Sequence, residues 1–119
     1  MQSETKAHVE QLTSLAGHAV SVLRFEGDIA STSKDAVLGT YQALPKETAK
    51  LVLLDFTKVD YINSSGIALV IQLLIEASTS GQKVCAFGLS AHFTKVFTMV
   101  GIPKYAGLFP TQDEALDAL

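Results

Sequence analysis

The 119-residue sequence predicts an α/β sandwich, a central mixed and mostly parallel sheet of four to five strands with about four helices mainly on one face. Three observations carry that prediction. Residues 51–56 and 84–89 are almost continuously apolar, the pattern of strands buried on both faces. Segments with apolar residues at helical spacing alternate with these runs, and a helix between two strands is the usual crossover of a parallel pair. Finally, 48% hydrophobic residues against 18% charged, with a mean hydropathy of +0.30, suffice for one core in a single domain, residues 1–119, and exclude an intrinsically disordered chain.

The elements follow in order. Residues 18–25 form the first clear strand, with Val20, Val22 and Arg24 on one face and Ala19, Ser21, Leu23 and Phe25 on the other. Leu15-Ala16-Gly17-His18 reads as a turn, so residues 7–14 pair with that strand as a hairpin. Beyond Glu26-Gly27-Asp28, the spacing of Ala36, Val37, Thr40, Tyr41 and Leu44 predicts a helix over 33–44 that Pro45 stops. A strand at 50–56 leads into a loop from Thr57 to Gly66, then a helix to about Ser80 with Gly81 as its stop. Residues 83–89 form another strand, and Phe93, Val96, Phe97 and Val100 share one face of a helix that ends at Gly101, before Pro103. Residues 105–109 read as a short last strand, and Thr111 with Glu114 caps a final helix carrying Ala115, Leu116 and Leu119.

Composition excludes several function classes. A net charge of −3 without a Lys/Arg cluster argues against nucleic acid or an anionic membrane as the main partner. The single cysteine, Cys85, closes no intrachain disulfide and supplies no zinc site, and in its apolar strand it reads as a small core residue. Residues 1–10 are polar and lack the pattern of a secretory signal, while the longest near-apolar run, 67–75, is well short of the roughly 20 residues that a membrane span needs. The expectation is a cytoplasmic domain without membrane insertion.

In open α/β sheets, sites gather beyond the carboxyl ends of strands, which directs attention to the loop after Phe56. There Asn63-Ser64-Ser65-Gly66 opens a helix, and two readings stand side by side. In one, Asn63 or Ser64 simply caps the helix and Gly66 lets it approach the sheet. In the other, a serine here carries a phosphoryl group. The first-turn N–H groups lack intrahelical partners and the helix dipole is positive at this end, so an added charge of about −1.5 to −2 is tolerated without unfolding.

Asp60-Tyr61-Ile62-Asn63-Ser64-Ser65-Gly66-Ile67-Ala68, preceded by the strand 51–56, resembles the signature of the STAS domain and is most similar to that of bacterial anti-sigma factor antagonists. The likeness extends to the loop Gly27-Asp28-Ile29, to Gly88-Leu89-Ser90 and to Val96-Phe97-Thr98-Met99-Val100-Gly101-Ile102, and covers about residues 8–119. The resemblance implies a STAS-type sandwich that is not an enzyme, has no cofactor and works by partner switching. The unphosphorylated protein binds an anti-sigma factor that is also a serine kinase of GHKL type. Phosphorylation of the residue matching Ser64 breaks the complex, and a serine phosphatase resets it. Asp28, Asn63, Ser65 and Gly66 are then the expected partner-binding residues around Ser64, on a monomer or weak dimer. The alternative is a constitutive STAS adaptor, either in a signalling assembly or as the cytosolic partner of an ABC-type lipid transporter, whose helix also resembles Gly66-Ile67-Ala68-Leu69-Val70. Two positions depart from the family's pattern: Asn63 stands where it has Asp, and Ala30 where it has a second Asp, and both lower the negative charge near Ser64.

On a helical wheel Ile67, Val70, Ile71, Leu74, Ala77 and Ser78 share one face, with Gln72 and Glu76 opposite. Leu69 and Leu73 flank the polar side, and they either pack laterally against a neighbouring helix or extend the Ser64 surface as an exposed partner-binding patch. Enzyme chemistry finds little support. No Gly-x-Ser-x-Gly elbow surrounds Ser64 or Ser65, no phosphate-binding Gly-x-x-x-x-Gly-Lys loop exists, and His8, His18 and His92 read as surface residues. Asp55 and Asp60 read as solvated loop carboxylates, Asp55 tied to backbone N–H groups, and not as a metal or acid/base pair. A phospho-aspartate receiver is the nearest rival, but the acidic pair it resembles is reduced to Asp28, and Lys83 opens its strand instead of closing it.

Overall fold

The computed structural model describes residues 4–119; Met1, Gln2 and Ser3, the start of the polar N-terminal stretch, lie outside the described residues. Five strands, β1 (Lys6–Thr13), β2 (Ala19–Ile29), β3 (Leu51–Ile62), β4 (Lys83–Phe87) and β5 (Ala106–Phe109), make one sheet in the order β1-β2-β3-β4-β5. β1 and β2 form an antiparallel hairpin closed by Gly17 at φ 85°, and every later pairing is parallel. The mixed, mostly parallel sheet is therefore as predicted. A 3-10 turn (Ser31–Ser33), a π-helical turn (Asp35–Gly39) and α1 (Thr40–Gln42) connect β2 to β3, α2 (Ser64–Thr79) connects β3 to β4, and α3 (Ala91–Met99) with a 3-10 turn (Ile102–Lys104) connects β4 to β5. α4 (Gln112–Asp117) closes the chain, its cap made by Thr111 accepting from the Glu114 N–H.

The larger core lies between the sheet and the crossover helices, where Phe25, Phe56 and Phe97 stack in a row with ring centres 5.5 and 5.6 Å apart. A smaller core of Val20, Val22, Leu53, Cys85 and Phe87 sits on the opposite face against Ala115 of α4. β2, β3 and β4 are buried on both faces because each face has its own cover. That is why their sequences are continuous apolar runs.

Several expectations need correction. The helix foreseen over 33–44 is mostly a π-helical turn followed by a short α-helix, and the wider turn lets the consecutive Val37 and Leu38 both enter the core with Tyr41. The loops foreseen at 27–29 and 57–62 are strand. β2 and β3 outrun β4 and pair with each other through Gly27↔Val59, Asp28↔Tyr61 and Ile29↔Ile62, with the left-handed Gly27 (φ 91°) and two register shifts absorbing the irregularity. One face of this extension is apolar and the other polar, which hid it among loop-like residues.

Asp55 is not a solvated loop carboxylate. It lies in β3, 6% exposed, pairs with Arg24 Nη1 at 2.7 Å and accepts from the Thr57 N–H and hydroxyl at 2.8 and 2.7 Å. Arg24 donates its other arm to Gln112 Oε1 at 2.9 Å and faces Glu10 at 3.1 Å. Burial alone would lower the Arg24 guanidinium, but hydrogen bonds to Glu10 and Asp55 outweigh it and hold the group above its ordinary value. A buried carboxylate is tolerated here because both of its oxygens are met by donors, one of them charged.

The partner-patch reading of Leu69 and Leu73 is also overturned: they are 9% and 0% exposed. α2 is covered on two sides, by the sheet and by the π-helical turn, so its buried stripe is Gly66, Leu69, Val70, Leu73, Leu74 and Ala77, while Ile67 and Ile71 are half-buried and Ser78 is exposed. Leu73→Ala should therefore cost about 2–5 kcal/mol in urea unfolding, whereas Ile75→Ala, at a side chain 46% exposed, should stay within about 0.5 kcal/mol. Equal small losses at both positions would contradict this placement.

Candidate functional site

β3 ends at Ile62, and the chain turns directly into α2 through Asn63. Asn63 is extended (φ −85°, ψ 178°), and its side-chain oxygen accepts from the Gly66 N–H at 2.8 Å while its carbonyl accepts from Ile67 N at 2.9 Å. Of the two capping residues the sequence allowed, Asn63 is the one that caps. Its own N–H donates to the Ile29 carbonyl at the end of β2, 3.1 Å away. That carbonyl also explains Gly66, because a Cβ on residue 66 would lie 2.3 Å from the Ile29 oxygen. Only a residue without a side chain lets the first turn of α2 sit against β2 at this distance.

With Asn63 and Gly66 turned inward, Ser64 and Ser65 occupy the first two helical positions and are exposed. The helix itself offers their N–H groups no acceptor, and α2 has no acidic residue in its first turn. The site is thus a hydroxyl at the positive end of a 16-residue helix, with unused donors beside it. Asp28 lies on the neighbouring strand, paired in register with Tyr61 two residues before the cap. Asn63, Ser64, Ser65, Gly66 and Asp28 therefore come together at one end of the sheet, and Leu69 and Leu73 leave it for the core.

The fold adds features that periodicity did not reveal. Ser33 is buried, receives the Ala30 N–H at 2.8 Å and meets the Thr5 hydroxyl, while both hydroxyls reach the Asp28 carbonyl. This knot fixes the end of β2 on which the cap rests. Ala30 itself is 5% exposed, so a carboxylate there would need its own buried donors. Tyr61, 50% exposed, stands edge-on to Phe93 at 5.9 Å, and Phe93 in turn meets the exposed ring of His92 at 4.8 Å. Three aromatic rings thus meet beside the end of β3, contributed by two segments that only the sheet order makes neighbours. Among the described residues, no group of three or more His, Cys, Asp or Glu is arranged to hold a metal ion. No described helix is long and apolar enough to cross a membrane.

The STAS domain family profile matches residues 11–115. The chain belongs to the STAS domain family. Solved STAS folds superpose over nearly its whole length. An anti-sigma factor antagonist from Mycobacterium paratuberculosis gives a TM-score of 0.79 at 19% identity, covering 97% of this chain and 93% of that one. The anti-sigma factor antagonist SpoIIAA in its unphosphorylated form gives 0.69 at 18% identity, covering 94% and 96%. A sulfate transporter family protein from Wolinella succinogenes gives 0.74 at 19% identity, covering 90% and 87%. No curated protein matches the chain by sequence. At these identities the solved structures establish the STAS fold and leave the role of this domain to its own surface.

Gly66→Ala tests the geometry of the junction. It should destabilise the domain by several kcal/mol, because the contact it makes is with backbone that has no room to yield. Asn63→Ala should cost about 1 kcal/mol through the lost cap, and Asn63→Asp should keep it. Chemical denaturation of the three variants checks the order, which an undisturbed Gly66→Ala would reverse.

Proposed function

We propose that this STAS domain is an anti-sigma factor antagonist that works by partner switching, with Ser64 as the phosphoacceptor. The observation that carries the reading is the exposed Ser64 hydroxyl at the first position of α2, beside a cap whose two inward contacts are made by other residues. Because Asn63 and Gly66 hold the helix in place, a phosphoryl group on Ser64 meets first-turn N–H donors and the positive helix end. The fold has no reason to change. A partner seated over Ser64 would have to desolvate that charge, so phosphorylation opposes binding while leaving the domain folded. Asn63 supplies the capping oxygen without adding a carboxylate next to the reacting hydroxyl.

The partner consistent with this reading is an anti-sigma factor that is also a serine kinase of GHKL type, with a serine phosphatase to reset the switch. Asp28, Asn63, Ser65 and Gly66, with the exposed Tyr61 that pairs in register with Asp28, would then frame its contact. SpoIIAA, which shares the fold, has been solved in phosphorylated and unphosphorylated forms.

Affinity purification of the tagged chain from its native cells, followed by intact mass measurement, tests the reading. The wild type and Ser64→Ala should both retain a GHKL-type kinase, and only the wild type should gain one phosphate when ATP is added. Ser64→Asp should retain at least about tenfold less kinase while its thermal unfolding stays near the wild type. A phosphate that persists in Ser64→Ala would overturn the assignment. Recovery of an ABC-type ATPase in place of a kinase would establish the adaptor role.

A further inference from the structure

Among the described residues, β1 is the first strand of the sheet order and pairs on one side only. Its eight residues match β2 without a register shift and include no proline, so the outer edge is a regular row of backbone donors and acceptors. Edges of this kind are templates for another strand unless side chains deter it. Here Ala7 and Leu12 pack onto the two cores, Val9 lies on the face of Ala7 and is 39% exposed, and Lys6, His8 and Glu10 line the other face.

We propose that the outer edge of β1 pairs antiparallel with β1 of a second copy of this chain, about a two-fold axis at Val9. That axis keeps each face of the sheet continuous across the junction. It sets Val9 against Val9 of the second copy and His8 opposite Glu10, with Lys6 on the diagonal of the same Glu10. The charges that guard a lone edge become complementary when the edge meets itself. Glu10 is already drawn into this row, 3.3 Å from His8 Nε2 and 3.1 Å from Arg24 Nη2, and its carboxyl is held below the ordinary 4.5 by hydrogen bonds from Arg24 and then His8. The junction continues the five strands into a ten-stranded sheet on the side away from β4 and β5, leaving Ser64 at the open end of the strands. One eight-residue edge falls short of the roughly 1,200 Å² that a stable complex buries, so the dimer is weak, with a Kd of about 0.1–1 mM.

Sedimentation equilibrium of the intact chain over roughly this concentration range should show a monomer–dimer equilibrium. Val9→Lys, which sets like charges opposite each other, should weaken it at least about tenfold while the circular dichroism is unchanged. Independently of that variant's folding, Val9→Cys should cross-link under mild oxidation much faster than Leu15→Cys. Leu15 is more exposed, at 84%, but lies beyond the paired strand, and the native Cys85 is buried. A chain that stays monomeric across the range, a Val9→Lys variant that associates normally, or equal cross-linking at the two cysteines would each overturn the proposal.

Discussion

The carbonyl of Ile29 is the point on which the functional end of this domain depends. It accepts the Asn63 N–H, and its oxygen occupies the space that any side chain at residue 66 would need. These two facts set the direction in which α2 leaves the sheet. That direction then decides which serines face solvent and which leucines enter the core. Moving the first turn of α2 outward by the width of a methyl group would break the Asn63 contact and lift Leu69 and Leu73 from their places against the sheet and the π-helical turn.

The strands beneath this junction are held by different means on their two faces. Toward the crossover helices the hold is apolar, centred on the row Phe25, Phe56 and Phe97. Toward α4 it includes the Arg24–Asp55 pair, which anchors neighbouring residues of β2 and β3 and reaches Gln112 of α4. The pair brings little stability compared with an apolar substitute of the same shape, but its geometry is demanding. Arg24 has to satisfy Asp55, Gln112 and Glu10 together. Register between β2 and β3 is specified just below the point where the two strands leave β4 behind.

The sequence disclosed the strand order of events well, because doubly buried strands cannot hide their composition and Gly81 and Gly101 mark where two helices stop. It disclosed the cap and the serines too, since Asn63-Ser64-Ser65-Gly66 admits few local structures. What it withheld depends on partners distant along the chain. The strand character of residues 57–62 rests on pairing with 26–29, and the burial of Leu69 and Leu73 on a π-helical turn contributed by residues 35–39. A wheel drawn for one helix assumes one buried side, and α2 has two. The ion pair of Asp55 was legible only as an acid in an apolar run, with its basic partner 31 residues earlier.

The stretch where β2 and β3 run on beyond β4 has a dynamic consequence. In the middle of the sheet, opening any strand of this core means disrupting neighbours on both sides. At this end β3 keeps its partner β2 but has lost β4, so the last residues before Asn63 form a small cooperative unit bounded by the Gly27 bulge. Ile29 and Ile62 still tie this unit to the larger core, so what it loses beyond the bulge is strand pairing and not apolar contact. The serines thus stand at the tip of a two-stranded ribbon, where the backbone pairing that holds the middle of the sheet from both sides is halved.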